Sequence, residues 1–257
     1  MVRVCLIFKL TLSYRGTDFC GWQKQKTTGL PSIQESVEEA LSRILNQKTP
    51  VVASGRTDAG VHALRQVVVF RTGAKRSPKD ILKGLNGLLP ESIRVISVQR
   101  VSKKFHPQFA VKRKTYRYLV QNSGTANPLM SPYVYFFPEK LNLKRMQKAA
   151  SFLSGRHDFS AFQGSSRKAK DTVRTMYGIE VKRIRDSLFS TEGLLGFTLA
   201  GDGFLHKMVR NIVGTLLEVG RKKLRPEDVK KILESGDRRL AGPTAPARGL
   251  TLIEVIY

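Results

Sequence analysis

Ser54-Gly55-Arg56-Thr57-Asp58-Ala59-Gly60-Val61-His62-Ala63 sets one carboxylate two residues from a guanidinium in a glycine-bracketed turn. β-prone runs flank it, Val51-Val52 before and Gln66 to Phe70 after. Glycines at 55 and 60 permit a sharp backbone path that other residues resist. Loops carried on rigid strands are where binding and catalytic groups concentrate. The bland reading of an Asp in such a loop is a turn cap. The sharper one is a strand–turn–strand unit that presents Asp58 as a single reactive acid.

Working outward, Val4, Leu6, Phe8, Leu10, Leu12 and Tyr14 alternate with mostly polar Arg3, Lys9, Thr11 and Ser13. Period two reads as a half-buried strand rather than a signal peptide. Pro31-Ser32-Ile33-Gln34-Glu35 carries a Ser-x-x-Glu capping box ahead of Ile33, Val37, Ala40, Leu41, Ile44 and Leu45, which predicts a helix from about 32 to 46. Ser77-Pro78-Lys79-Asp80 opens a second helix through about Leu85, and Ile93 to Val101 reads as a strand. This half is βαβαβ in outline.

The theme then repeats. Strands are expected at Thr115 to Val120, Met176 to Ile184, Leu188 to Ala200 and Leu250 to Tyr257. Helices are expected at Leu143 to Leu153, His206 to Glu218 and Pro226 to Ser235. The chain therefore reads as α+β, in two halves, 1–104 and 105–257, with a cleft between them as a natural substrate site. On the 206–218 helix Leu205, Met208, Val209, Ile212, Val213, Leu216 and Leu217 share a wide apolar face. Lys207, Arg210, Asn211 and Gly214 fall on the opposite stripe. Gly214 in mid-helix costs about 1 kcal/mol relative to Ala, which points to close approach of another backbone.

Forty-five Lys and Arg against twenty Asp and Glu give a net charge of +25, which calls for a polyanionic partner, with nucleic acid foremost. Membrane binding would want a basic amphipathic helix or a span of about 20 apolar residues, and the sequence has neither. Cys5 and Cys20 make no metal-ligand spacing, so neither a zinc site nor a disulfide framework is expected, and the location reads as cytoplasmic. No P-loop or GxGxxG fingerprint is present, and no cofactor is expected.

Arg56-Thr57-Asp58-Ala59-Gly60-Val61-His62 resembles the catalytic signature of the TruA family of tRNA pseudouridine synthases. Similar words recur at Gly21-Trp22-Gln23, Ser32 to Glu35, Asn86 with Leu89-Pro90, Phe105-His106, Tyr116-Arg117-Tyr118 and Asp158-Phe159. They continue at Arg174-Thr175, Phe204 to Gly220, and Ala245-Pro246 with Gly249-Leu250. The resemblance implies the pseudouridine synthase fold, two similar α/β sandwich halves with a mostly antiparallel sheet flanking a basic catalytic cleft. It implies a homodimer acting on the anticodon stem-loop of tRNA, commonly at positions 38 to 40.

The resemblance assigns Asp58 as the essential carboxylate and Arg56 as the residue that handles the target base. It makes Tyr116 the ring beneath the uracil and Arg210 the cation paired with Asp58. A carboxylate working in a water-poor site stays ionised only if a cation opposes its desolvation. Tyr116 and Tyr118 point the same way on a strand, so spacing alone does not choose between them. His62 is expected to organise the loop or touch substrate, with Lys207, Asn211 and Leu250 also expected at the substrate. Lys207 departs from the His common in bacterial relatives, and Arg248 and Thr251 also depart from the family pattern.

Basic clusters at Lys112-Arg113-Lys114, at Arg167-Lys168 with Lys170 and Arg174, at Lys182-Arg183 with Arg185, and at Arg221-Lys222-Lys223 are expected to track RNA phosphate. A non-catalytic RNA-binding protein or chaperone would account for the charge equally well, but would not need Asp58 beside Arg56. A two-metal nuclease wants clustered carboxylates, which are absent from the sequence. An aspartic protease wants two Asp loops, and one is present.

Overall fold

A computed structural model describes residues 6–25, 29–164, 169–185 and 191–257. The chain divides into two compact units. Unit 1 comprises residues 1–112 with 252–257, and unit 2 comprises 113–251. The division thus falls eight residues after the expected one at 104, and the last strand returns to unit 1. The cause is visible in the backbone: Lys112 N–H donates to Ile256 C=O at 2.8 Å.

In unit 1, β1 (Leu6–Tyr14) lies between β3 (His62–Thr72) and β4 (Ile93–Arg100), antiparallel to both. β2 (Val51–Ala53) pairs antiparallel with β3, setting Ala53 opposite Val68. The predicted alternation of β1 holds, with Phe8, Leu10, Leu12 and Tyr14 buried and Lys9, Thr11 and Ser13 half-buried. α1 (Ile33–Leu45) starts where the capping box puts it, Glu35 N–H donating to Ser32 Oγ at 3.1 Å. α2 (Pro78–Leu88) is capped in the same way by Ser77. Both helices bury one apolar face, Ile33, Val37 and Leu41 on α1 and Ile81 and Leu85 on α2.

In unit 2, β5 (Arg113–Gln121), β9 (Leu194–Gly201), β8 (Val173–Arg183) and β7 (Gly155–Asp158) pair antiparallel in that order. A two-residue β6 (Tyr135–Phe136) adds a short parallel pairing to β5. The helices are α3 (Leu143–Ser151), α4 (Met208–Gly220) and α5 (Asp228–Ser235), and β10 (Leu250–Ile256) closes the chain. The α+β class and mostly antiparallel pairing are as expected. β6 and β7 were not foreseen, being too short to show periodicity. Among the described residues no helix is long and apolar enough to cross a membrane.

α4 begins two residues later than its apolar pattern suggests. Lys207 adopts a left-handed conformation, φ 59°, so the helical path cannot pass through it. The polar stripe of α4 is open to water only in part, at half-buried Lys207 and Arg210. Asn211, Gly214 and Thr215 are buried, as is the apolar face.

Candidate active site

The loop from Ser54 to Val61 leaves the end of β2 and enters β3 at His62. Its shape is imposed from beneath by side chains distant in sequence. Tyr14 Oη and Thr57 Oγ1 are hydrogen-bonded at 2.9 Å. Gln66 Nε2 donates to Gly55 C=O at 2.9 Å, and Ser54 Oγ donates to Gln66 Oε1 at 2.7 Å. Tyr14, Ser54, Thr57 and Gln66 are all buried, so each bond replaces one that water would otherwise make, and losing a partner would strand a polar group. Burial, only partly offset by the Thr57 and Gln66 bonds, pushes the Tyr14 hydroxyl up to about 12, so it remains a proton donor.

The flank is closed by the chain from Gly16 to Trp22. Trp22 N–H donates to Thr57 C=O at 3.0 Å, and Gly16 N–H donates to His62 Nδ1, also at 3.0 Å. Gly21 takes φ +107°, and a Cβ there would stand 2.9 Å from Thr57 O and 3.1 Å from Asp58 C. Only glycine lets one backbone lie this close to the peptide of Asp58. Gly60, at φ 77°, turns the chain back toward β3. On this fixed base Arg56 is exposed and Asp58 half-exposed, whereas Thr57 between them is buried.

Of the two roles expected of His62, the loop-organising one fits its surroundings and the substrate contact does not. His62 is 3% exposed, and its Nδ1 accepts from Gly16, so it organises the loop and has no open face for a substrate. That bond also sets the tautomer, leaving the proton of a neutral ring on Nε2.

In unit 2, Arg210 stands on α4 and Nε donates to Ala245 C=O at 2.7 Å, while Ala245 N–H returns a bond to Arg210 C=O at 3.1 Å. The segment 241–246 that supplies Ala245 is tied down by a partly buried network. Arg238 donates to Ala241 C=O at 3.2 Å, Gly242 C=O at 3.0 Å and Asn211 Oδ1 at 3.1 Å. Thr244 Oγ1 donates to Asn211 Oδ1 at 2.6 Å, and Gly242 N–H donates to Thr215 Oγ1 at 2.9 Å.

Asn211 is therefore a second correction. It is fully buried, its amide donates to Phe162 C=O at 2.7 Å, and it holds the segment rather than a substrate. Gly214 has the reason foreseen for it: a Cβ there would overlap Pro243 O.

The two tyrosines of β5 part company. Tyr118 is fully buried and its hydroxyl donates to Pro246 C=O at 2.7 Å, with burial pushing that hydroxyl far above its usual range. Tyr118 thus serves the fold. Tyr116 lies two residues closer to the strand start, its ring edge-on to Phe204 at 5.1 Å. Lys207 is half-buried before α4, and Leu250 is 6% exposed at the start of β10.

The basic residues divide as well. Lys112, Arg113 and Lys222 are exposed. Lys114 is half-buried, and burial, with Arg174 adding like charge, lowers its ammonium to about 8. Arg221 is a third correction, since it is committed to carboxylates, Glu218 at 2.9 Å and Glu139 at 2.6 Å, and stabilises the end of α4. Arg167 and Lys168 lie outside the described residues.

A family model described as tRNA pseudouridine synthase matches residues 11–110 and 149–257. Among curated relatives, tRNA pseudouridine synthase A of Acetivibrio thermocellus is 41% identical over 249 residues, 97% of this chain and 98% of that protein. The protein of the same name from Pseudothermotoga lettingae is 41% identical over 250 residues, covering 97% and 99%. That of Streptococcus thermophilus is 42% identical over 252 residues, covering 97% and 98%. A solved Cbf5-Nop10-Gar1 complex aligns over 95% of this chain and 48% of that one, at 16% identity and a TM-score of 0.38, too loose to add to the assignment. By family model and full-length relatives alike, the chain belongs to the tRNA pseudouridine synthase family, isomerases that act on RNA.

Proposed function

We propose that this protein isomerises uridine to pseudouridine in the anticodon stem-loop of tRNA, at positions 38 to 40, with Asp58 as the essential carboxylate. The observation that carries the reading is the Asp58 loop itself. A half-exposed carboxylate and an exposed Arg56 stand on a backbone fixed by five buried polar side chains, Tyr14, Ser54, Thr57, His62 and Gln66. That is the preorganisation a positioned reactive group requires.

In the reaction the uracil leaves C1′ of its ribose, turns and rejoins through C5, the C5 proton departs and the freed N1 takes up a proton. Atoms balance within the nucleotide, so no redox partner or group donor enters. Asp58 acts on the ribose. Arg56 takes the place of the extruded base or grips its phosphate, offsetting the few kcal/mol that extrusion costs. Tyr116 supplies an aromatic face for the detached ring. Arg210 is the countercharge for the carboxylate, and its guanidinium is oriented by Ala245 within unit 2. Lys207 and Leu250 complete the substrate contacts. Lys112, Arg113, Lys114, Arg174 and Lys222 track phosphate, so that affinity falls steeply with salt. The protein works as a homodimer in the cytoplasm.

The test is tritium release from tRNA transcripts labelled at C5 of uridine, repeated with cytidine placed singly at positions 38, 39 and 40. Release that falls when those positions are replaced is expected. Release indifferent to all three replacements would overturn the assignment to the anticodon stem-loop.

A further inference from the structure

The turn from Ser102 to Lys112 in unit 1 carries Phe109, at 86% exposed the most accessible large apolar side chain among the described residues. Leaving a phenyl ring in water forgoes roughly 1.5–3 kcal/mol of burial. The same turn has room to shield a ring: Phe105 is half-buried and packs against Tyr257 at 4.8 Å.

Phe109 is nonetheless held in place. Its ring stacks on the His106 imidazole at 4.3 Å and 23°. His106 Nδ1 in turn accepts from the N–H of Gln108 at 3.2 Å and of Phe109 at 3.4 Å. One face of the phenyl ring is thereby backed, and the ring is presented rather than loose.

The turn is fastened to the root of the Asp58 loop. Gln108 Nε2 donates to the C=O of Ala53, the residue before that loop, at 3.2 Å, and Tyr257 Oη donates to Pro107 C=O at 2.9 Å. Lys103, Lys104 and Lys112 on the same turn are exposed.

We propose that Phe109, backed by His106, is a stacking platform for an unpaired base of the RNA substrate neighbouring the uridine that is modified. The proposal rests on the reading of the protein as an RNA uridine isomerase. A preset aromatic face takes any base, because every base has a π-face, and flanking ammonium groups neutralise the adjoining phosphates. A second copy of this chain is disfavoured as the occupant of this turn, wherever the homodimer seam lies, because copies meeting here would set Lys103, Lys104 and Lys112 against like charges.

The test compares Phe109→Ala, Phe109→Trp and, as a control on another exposed apolar side chain, Leu129→Ala. Phe109→Ala is expected to raise KM for tRNA about tenfold, with the loss in KM rather than in kcat. Phe109→Trp is expected to stay near the native KM. Its introduced indole should be quenched by a single-stranded uridine-rich heptamer, against a background from Trp22, which is 3% exposed. Leu129→Ala should leave KM where it is.

An unchanged KM in Phe109→Ala, or indole emission indifferent to saturating heptamer, overturns the platform. A fall in oligomeric mass in Phe109→Ala also overturns it, in favour of a second copy as occupant. If the native protein releases no tritium from tRNA, the isomerase reading fails by itself. Quenching by the heptamer then still decides whether the ring stacks on a base.

Discussion

The two units each fix the backbone beside a proposed site residue with a polar network, neutral and buried in one, cationic and half-buried in the other. Under the Asp58 loop the network is neutral: Tyr14, Ser54, Thr57 and Gln66 exchange hydroxyl and amide bonds. Under the 241–246 segment of unit 2 the centre is a guanidinium, Arg238, which donates to two backbone carbonyls and to Asn211 and Thr244. A neutral floor adds no charge beneath the carboxylate it supports. A half-buried cation adds to the positive field around Arg210, at the cost of part of its own hydration, and that partial burial lowers the Arg238 guanidinium below its usual range. The lesson is that the acid is shaped by hydrogen bonds and the cation by both bonds and charge.

Four changes sharpen or break this contrast. The largest effect is expected from Arg238→Met, which takes the donor from the Ala241 and Gly242 carbonyls and leaves Asn211 Oδ1 and the Thr244 hydroxyl with only each other. It should cost about 2–3 kcal/mol in denaturant unfolding and release the segment that orients Arg210. Stability within 1 kcal/mol of native, on the order of a surface change, would mean the network is dispensable.

Next is Gly214→Ala. In an open helix it would gain about 1 kcal/mol from propensity, whereas overlap with Pro243 O predicts a net loss of about 2 kcal/mol. A gain in stability would show that the 241–246 segment does not bear on the helix.

Third, Tyr14→Phe removes two neutral bonds, one with Thr57 and a longer one from Gln66, and should cost about 1–1.5 kcal/mol. Turnover should fall more than tRNA affinity, because Thr57 precedes Asp58. Equal loss in both would point to a general rather than a local defect.

The smallest effect concerns Lys114. Its ammonium titrates near 8, below the ordinary lysine value, so its charge is present at pH 7 and lost as pH rises through about 8. tRNA affinity should therefore weaken between pH 7 and 9, and Lys114→Arg should flatten that dependence. The sign for folding is the reverse. The unfolded chain holds the proton up to the ordinary lysine range, so this group makes stability rise with pH from about 8 upward. Affinity unchanged between pH 7 and 9 in the native protein would remove Lys114 from the phosphate contacts.

Much of the framework was legible because its signals are local. Ser32 and Ser77 announce two helices, alternation announces β1, and Gly214 announces a close backbone. The Asp58 loop was readable as a candidate site, but not what holds it. Tyr14 and Gln66 meet it from 43 and 11 residues away, and no spacing rule links them. Arg238 reads in sequence as one more surface cation between Asp237 and Arg239, and only the fold turns it inward.

Arg221 misled for a similar reason. Glu218 at i−3 was a signal that could have been used, whereas Glu139 lies 82 residues distant. His62 and Asn211 have residue types that suit substrate contact, and burial alone showed that their polar atoms are spent on the fold.

The most direct test of Asp58 as the reactive acid is tritium release from tRNA labelled at C5 of uridine, by the native protein and Asp58→Asn at equal folded concentration, with tRNA binding measured in parallel. Release by the native protein alone is predicted, with Asp58→Asn binding tRNA at least as tightly since a negative charge has been removed. Release by Asp58→Asn at the native rate, or tight binding without release by either protein, would contradict it.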